Sequence, residues 1–348
     1  TVRFSKDFEG FQFEYGTHNA VYTFLHDRLG VRWLWPGELG EDILKRETVA
    51  VEPFTYRYHP QVRARNGLFP WSLLERTGPG SPAELNLGYW TRAQRLQLSG
   101  LAVSNSAHGP WYGWWDRFHE IHPEYFALQP DGTRSGFGRK MCHANPAVIA
   151  QWLADVEQEL KENPNKRVFA VAPSDSYHSG HCICQNCRAW DHPKGEPRRL
   201  IWEGVSQTYV ALSDRDVTFA NRCARRLKER FPDKQLYVYT LAYGHSCPPP
   251  VEAIPDDNVI IGDVANFLFR SDMRPDSSLI GNAARDYFAG WGEVTDLHFW
   301  RPNVGAPVGF QWGMPDIPLR RTMKDMRFAA EHRWMGVYVD FVRMIWST

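Results

Sequence analysis

The sequence predicts an α/β protein in two parts: a small α/β domain over residues 1–58 and a (β/α)8 TIM-type barrel over residues 59–348. Three observations predict it. Strand-like and helix-like segments alternate through the larger part, which implies parallel strands joined by right-handed crossovers. Polar and aromatic residues fall at the C-terminal ends of nearly every such strand, where a barrel gathers them at one mouth. No glycine-rich phosphate loop follows an early strand, as the rival architecture, a doubly wound open sheet, would require.

The elements follow in order. Val2 to Phe4 and Phe11 to Tyr15 are short strand-like runs, the second alternating apolar and polar. Asn19 opens a helix in which Val21, Phe24, Leu25 and Leu29 recur at helical spacing, and Gly30 ends it. Val31 to Trp35 reads as a strand stopped by Pro36-Gly37, and Val49 to Phe54 as the last strand of the small domain. The larger part then gives strands at 63–69, 101–104, 167–172, 236–242, 259–264, 297–300 and 337–339. Helices are expected at 90–98, at 146–161 capped by Asn145, and at 216–230, 278–291 and 319–332. That is about seven strands, one short of closure. The barrel is therefore expected to be C-terminally truncated, with the last strand beyond this sequence.

Composition narrows the function. The formal net charge is zero, without the basic excess of a nucleic-acid binder, and no apolar run would span a bilayer. Aromatic residues are abundant, with 15 Trp, 14 Tyr and 20 Phe. Trp111, Tyr112, Trp114 and Trp115 cluster beside Gly109 and Pro110, in a stretch expected to be a loop. Such rings can stack on the C–H faces of sugars; they can equally pack a core.

The predicted strand ends carry Arg65 and Asn66, Asn105 and His108, Asp175, Tyr243 and His245, Asp263 and Asn266, then Trp300, Arg301 and Asn303, and last Asp340. Glycosidic cleavage needs a proton donor at the leaving oxygen and a second group to stabilise the positive ring carbon. Asp175, Asp263 and Asp340 are the acids at these ends and form the candidate catalytic set. Each has a plainer reading. Asp175 in Pro-Ser-Asp-Ser suits a turn, and Asp263, which interrupts an apolar strand, would need a partner such as Arg65.

Cys182-x-Cys184-x-x-Cys187, with His178 and His181 just before it and Cys142 distant, is a second constellation. Cys142, Cys182, Cys184 and Cys187 could hold a structural zinc or form a disulfide staple; inert thiols are the third option. Cys223 falls on a helix face and reads as core, whereas Cys247 has no account in the sequence.

These residues also form a familiar pattern. Tyr22-x-Phe24-Leu25, Leu29-Gly30-Val31-Arg32-Trp33 and Pro36-Gly37-Glu38-x-Gly40-Glu41 resemble the small domain that precedes the barrel in bacterial hexosaminidase-like enzymes. His122-Pro123-Glu124-Tyr125-Phe126, Cys142 with Asn145-Pro146, Pro173-Ser174-Asp175, the cysteine loop, Ala242-Tyr243 and Trp291-Gly292 resemble the bacterial family named domain of unknown function 4838. That family includes retaining endo-β-N-acetylglucosaminidases acting on complex N-glycans.

The resemblance implies a glycoside hydrolase for N-acetylhexosamine-containing glycans, in which the substrate's own acetamide attacks the anomeric carbon. It implies Asp175, Asp263 and Asp340 as the acidic positions, with His108, Tyr243 and Trp300 as sugar contacts, and a secreted, periplasmic or cell-surface location with the signal peptide outside this excerpt. Arg65 and Asn303, from the strand ends, and Trp111, from the aromatic run, complete the expected substrate-binding set. Where the family carries Glu at the penultimate strand end this chain has Asp340, and where it carries an acid after the preceding strand's Trp this chain has Arg301-Pro302. The expected partner is an oligosaccharide or glycoprotein glycan, with no nucleic acid, no membrane span and no cofactor required for catalysis. The alternatives are a non-catalytic carbohydrate-binding barrel, or another carbohydrate-active enzyme such as a uronidase or lyase, for which Arg65 and Arg301 are a hint of carboxylate recognition.

Overall fold

A computed structural model describes residues 16–58, 64–66, 89–90, 92–95, 108–134, 140–174, 180–202, 205–264, 283–302 and 319–338. The elements in chain order begin with helix α1 (Gly16–Leu29) and strands β1 (Arg32–Trp33), β2 (Glu41–Asp42) and β3 (Ala64–Asn66). Helices α2 (Trp111–Phe118) and α3 (Pro146–Glu162), strand β4 (Val168–Ala170) and the one-turn helix α4 (Gln185–Arg188) follow. Strands β5 (Pro197–Trp202) and β6 (Val205–Val210) lead to helix α5 (Ser213–Arg230), then β7 (Tyr237–Ala242) and β8 (Val259–Asp263). Helix α6 (Ala284–Val294), strand β9 (His298–Trp300), helix α7 (Leu319–Glu331) and strand β10 (Gly336–Tyr338) complete the set.

The chain divides into two compact units. One comprises residues 1–102, 303–317 and 336–348, and the other residues 103–302 and 318–335. The expected division at 58–59 falls inside the first of these.

In the first unit, α1 ends on Gly30, whose φ of 76° is the left-handed turn that glycine adopts without strain. β1 pairs antiparallel with β2, and β3 pairs parallel with β10. Tyr22, Val31, Trp33 and Ala93 form its buried cluster, with Leu25, Leu29 and Trp90 against it. The strand expected over Val49–Phe54 is not formed: the segment is irregular and exposed. Among the described residues it pairs with no strand, and Phe54 instead stacks on Phe24 at 6.1 Å beneath the Arg28 guanidinium at 4.1 Å. The expected strands at 2–4 and 11–15 lie outside the described residues, as does that at 101–104.

The second unit is built on parallel strands in the order β4-β7-β8-β9. Helices α3 and α5 pack against them and against each other, burying Val148, Trp152, Val156, Val217, Phe219 and Leu227 with Val238 and Ile261. Val148, Trp152 and Val156 recur every four residues along one face of α3, which is why the sequence specified that helix. Asn145 caps α3, its side-chain oxygen accepting from the Ala147 N–H at 3.0 Å, with Pro146 in the first turn.

Two predictions are corrected here. The aromatic run is not a loop but α2, which turns Trp111, Trp114 and Phe118 inward at helical spacing. Gly113 and Pro110 gave the loop signal; in the fold Pro110 simply precedes the first turn. The antiparallel pair β5–β6, in register from Pro197↔Val210 to Trp202↔Val205, was not predicted. The fold is thus mixed α/β with parallel strands; among the described residues these do not close into a barrel.

Candidate active site

Strand register places the candidate residues. Ala242 on β7 pairs with Asp263 on β8, which pairs with Trp300 on β9, so three neighbouring strands end in one row. Because the strands are parallel, Tyr243 and Arg301 continue from the same edge. β4 ends there too: the Val171 N–H donates to the Tyr239 carbonyl at 2.8 Å, and the chain runs on to Pro173 and Ser174.

Several polar side chains are fixed around that edge. His108 Nδ1 donates to the Pro173 carbonyl at 2.6 Å, and Lys140 Nζ to the Ser174 carbonyl at 2.8 Å. His181 is half-buried with its Nε2 shielded from solvent, and its imidazole is held well below the usual histidine range, first by burial and then by the charge of Lys140. Its ring meets His245 edge-on at 4.9 Å, and His245 Nδ1 shares a hydrogen bond with the Tyr209 hydroxyl. Lys140, Pro173, Ser174, His181, Tyr243 and His245 line a small cavity at this edge. It holds a cation, a neutral imidazole and half-buried aromatic surface, an arrangement able to hydrogen-bond a polar, uncharged or acidic ligand.

Asp263 is 3% exposed. Burial pushes its carboxyl above the usual aspartate range, opposed by His298, whose Nε2 lies 3.7 Å from Oδ2. That is longer than a hydrogen bond, and among the described residues neither Asp263 Oδ2 nor either His298 ring nitrogen has a hydrogen-bond partner. The imidazole of the adjoining strand faces Asp263; the side chain of Arg65, the other partner the sequence suggests, lies outside the described residues.

The remaining predicted residues separate cleanly. Trp111 is 0% exposed and donates its indole N–H to the Ala172 carbonyl at 2.7 Å, so it anchors α2 to the β4 end from inside the core. Trp300 is buried as well, whereas Tyr243 is half-buried on the cavity wall. Arg301 is buried, not offered at a rim as a carboxylate-binding arginine would be. Asp175, Asn303 and Asp340 lie outside the described residues, as do Asn105 and Asn266.

Lys140 and Tyr209 were missed by sequence reasoning. Lys140 lies outside every periodic segment, and Tyr209 belongs to the unpredicted β5–β6 pair. The signal for that pair was present as two β-rich runs flanking Glu203-Gly204.

Cys142, Cys182, Cys184 and Cys187 come together, and all six cysteines are free thiols. Cys223 is core, as predicted. Cys247 is buried with its carbonyl accepting from the Trp291 indole at 2.8 Å.

No helix among the described residues is long and apolar enough to cross a membrane. Comparisons with curated proteins and with solved structures return no match. A family model does match, over residues 83–342, which is most of the chain. The strand-end residues from Asn105 to Asp340 and the cysteine cluster thus fall within a span that makes this protein a member of the family described as Domain of unknown function (DUF4838).

Proposed function

We propose that the protein is a glycoside hydrolase acting, outside the cytoplasm, on N-acetylhexosamine-containing glycans at the mouth of a (β/α)8 barrel. The observation that carries the reading is the row of strand ends. Asp263 and Trp300 end two adjoining parallel strands, Tyr243 directly follows the end of a third beside them, and Ser174, beyond the end of a fourth, is followed in sequence by Asp175. Active sites of α/β folds lie at this end of the strands.

The chemistry is retaining and substrate-assisted. The acetamide carbonyl oxygen forms a bond to the anomeric carbon while the glycosidic C–O bond breaks, and a carboxyl transfers its proton to the leaving oxygen. Water then attacks the same carbon, giving a proton back to that carboxylate as the acetamide ring reopens. Two inversions leave the configuration unchanged. Asp175 and Asp340 are assigned as proton donor and acetamide-orienting group, in an order left to the experiment. Asp263, enclosed beneath the strand ends with its pKa raised by burial, acts as a positioning residue. His108, Lys140 and Tyr243 supply polar and stacking contacts.

A screen of N-glycans, with products read by mass spectrometry, tests the reading. Wild-type protein should release glycan from at least one N-acetylhexosamine linkage. Asp175→Asn and Asp340→Asn should each lose about 10²-fold or more in turnover while retaining binding. Binding without turnover by the wild type would make the protein a carbohydrate-binding module instead. Loss of folding in both variants would assign the two acids to structure.

A further inference from the structure

Four cysteines from separate stretches of the second unit converge on one point. Cys142 follows the segment in which Phe126 bridges Met141; Cys182 and Cys184 lie in the loop after the cavity, and Cys187 in α4. Their sulfurs all lie within 4.8 Å of one another, and Cys142 Sγ is 3.7 Å from both Cys184 Sγ and Cys187 Sγ. A zinc ion with four sulfurs at about 2.3 Å sets them at the corners of a tetrahedron whose edges are about 3.8 Å. A disulfide would draw one pair to about 2.05 Å and leave the other two without a role.

The surroundings match thiolate ligands. Backbone N–H groups are aimed at three of the sulfurs: Leu128 at Cys182 (3.3 Å), Ala144 at Cys187 (3.4 Å) and Cys187 at Cys184 (3.4 Å). Such donors stabilise sulfur carrying negative charge. A buried cation stands close by, since Arg215 donates to the Cys182 carbonyl at 2.8 Å while paired with Asp191. Ala127, Leu128 and Ala144 wall off the cluster. Soft ligands in tetrahedral array, enclosed and charge-compensated, are what zinc selects.

We propose that Cys142, Cys182, Cys184 and Cys187 bind one zinc ion as a closed tetrathiolate site, with the four thiol protons released to solvent. All four positions are filled by protein, so the ion has a structural role and no open place for substrate. It clamps the 126–142 segment to the 182–187 loop. The Ile183 N–H to the Leu128 carbonyl (3.0 Å) joins the same two segments. Lys140, two residues before Cys142, holds the Ser174 carbonyl, so the clamp also fixes the chain leading into Asp175. The four sulfurs and their surroundings are the same whether or not the protein cleaves glycans.

Elemental analysis of the purified full chain should find about one zinc per molecule. Cobalt exchanged into the wild type should show thiolate-to-metal charge transfer and the strong visible bands of a tetrahedral site. Cys184→Ser, at the least buried of the four, should lose most of the zinc, while Cys223→Ala, at the free core cysteine, should keep it. The cobalt spectrum needs no variant and so survives any failure of Cys184→Ser to fold. Folded wild type that neither contains nor takes up zinc would overturn the proposal. So would a disulfide among the four cysteines, iron in place of zinc, or a folded Cys184→Ser that retains full zinc.

Discussion

Asp263 and Trp111 show how much a single side chain's surroundings decide. An enclosed carboxyl whose pKa is raised on folding binds its proton more tightly in the folded than in the unfolded chain. Its contribution to stability is therefore complete below the ordinary aspartate range and is lost as pH rises through the raised value. Asp263→Asn removes that dependence. In urea titrations the wild type should lose more stability than the variant between about pH 4 and pH 7; equal losses would mean that Asp263 is ionised and solvated in the fold. Trp111 was expected to face sugar, and its role is now separable from that one. Trp111→Ala should destabilise by about 3–5 kcal/mol through the void it opens in the core. A platform for sugar would instead lose affinity with stability intact. The sequence could not tell these apart, because a tryptophan at a strand end and one on the inner face of the following helix share the same neighbours in the chain.

At the scale of the element, periodicity and capping were legible where the element is long. α3 was placed to within a residue because Asn145, Pro146 and the spacing of Val148, Trp152 and Val156 all agree. Asn145→Ala should lower stability by ~1 kcal/mol, read from a thermal or urea midpoint, since the cap supplies a donor-satisfying oxygen at the first turn. β7, β8 and β9 were found from their apolar runs, for a buried parallel strand has no polar face to interrupt it. The buried face of β8 is also tightly filled. A side chain at Gly262 would run into the Tyr239 hydroxyl and the Phe299 ring. Gly262→Ala should therefore cost about 1–3 kcal/mol, and an unchanged unfolding midpoint would show that β7 and β9 can part to admit it. What the sequence hid were elements defined by pairing. The β5–β6 hairpin went unseen and the Val49–Phe54 strand was wrongly expected. Whether a β-rich run becomes a strand depends on a partner that may be remote in the chain, and periodicity carries no record of it.

For the whole molecule, the gathering of strand ends was legible and the roles of the gathered residues were not. Alternating elements required parallel strands, and parallel strands required Tyr243, Asp263 and Trp300 to share one edge, as register places them. Burial then sorted them in a way no spacing encodes: Trp300 and Asp263 inside, Tyr243 and His245 on the cavity, and Lys140 and His181 beside them from segments the reading had left out of the site. The cysteines were the opposite case. Their tight spacing was visible at once, but only folding brings Cys142 to the other three.

The measurement that bears most directly on the proposed chemistry is digestion of an N-acetylhexosamine-bearing glycan in heavy-oxygen water, with both products weighed. A glycoside hydrolase puts one solvent oxygen on the new reducing end and none on the leaving fragment, and wild-type protein should give that pattern. An unsaturated fragment with no label would identify a lyase. Intact glycan recovered from a protein that nonetheless binds it would contradict catalysis altogether.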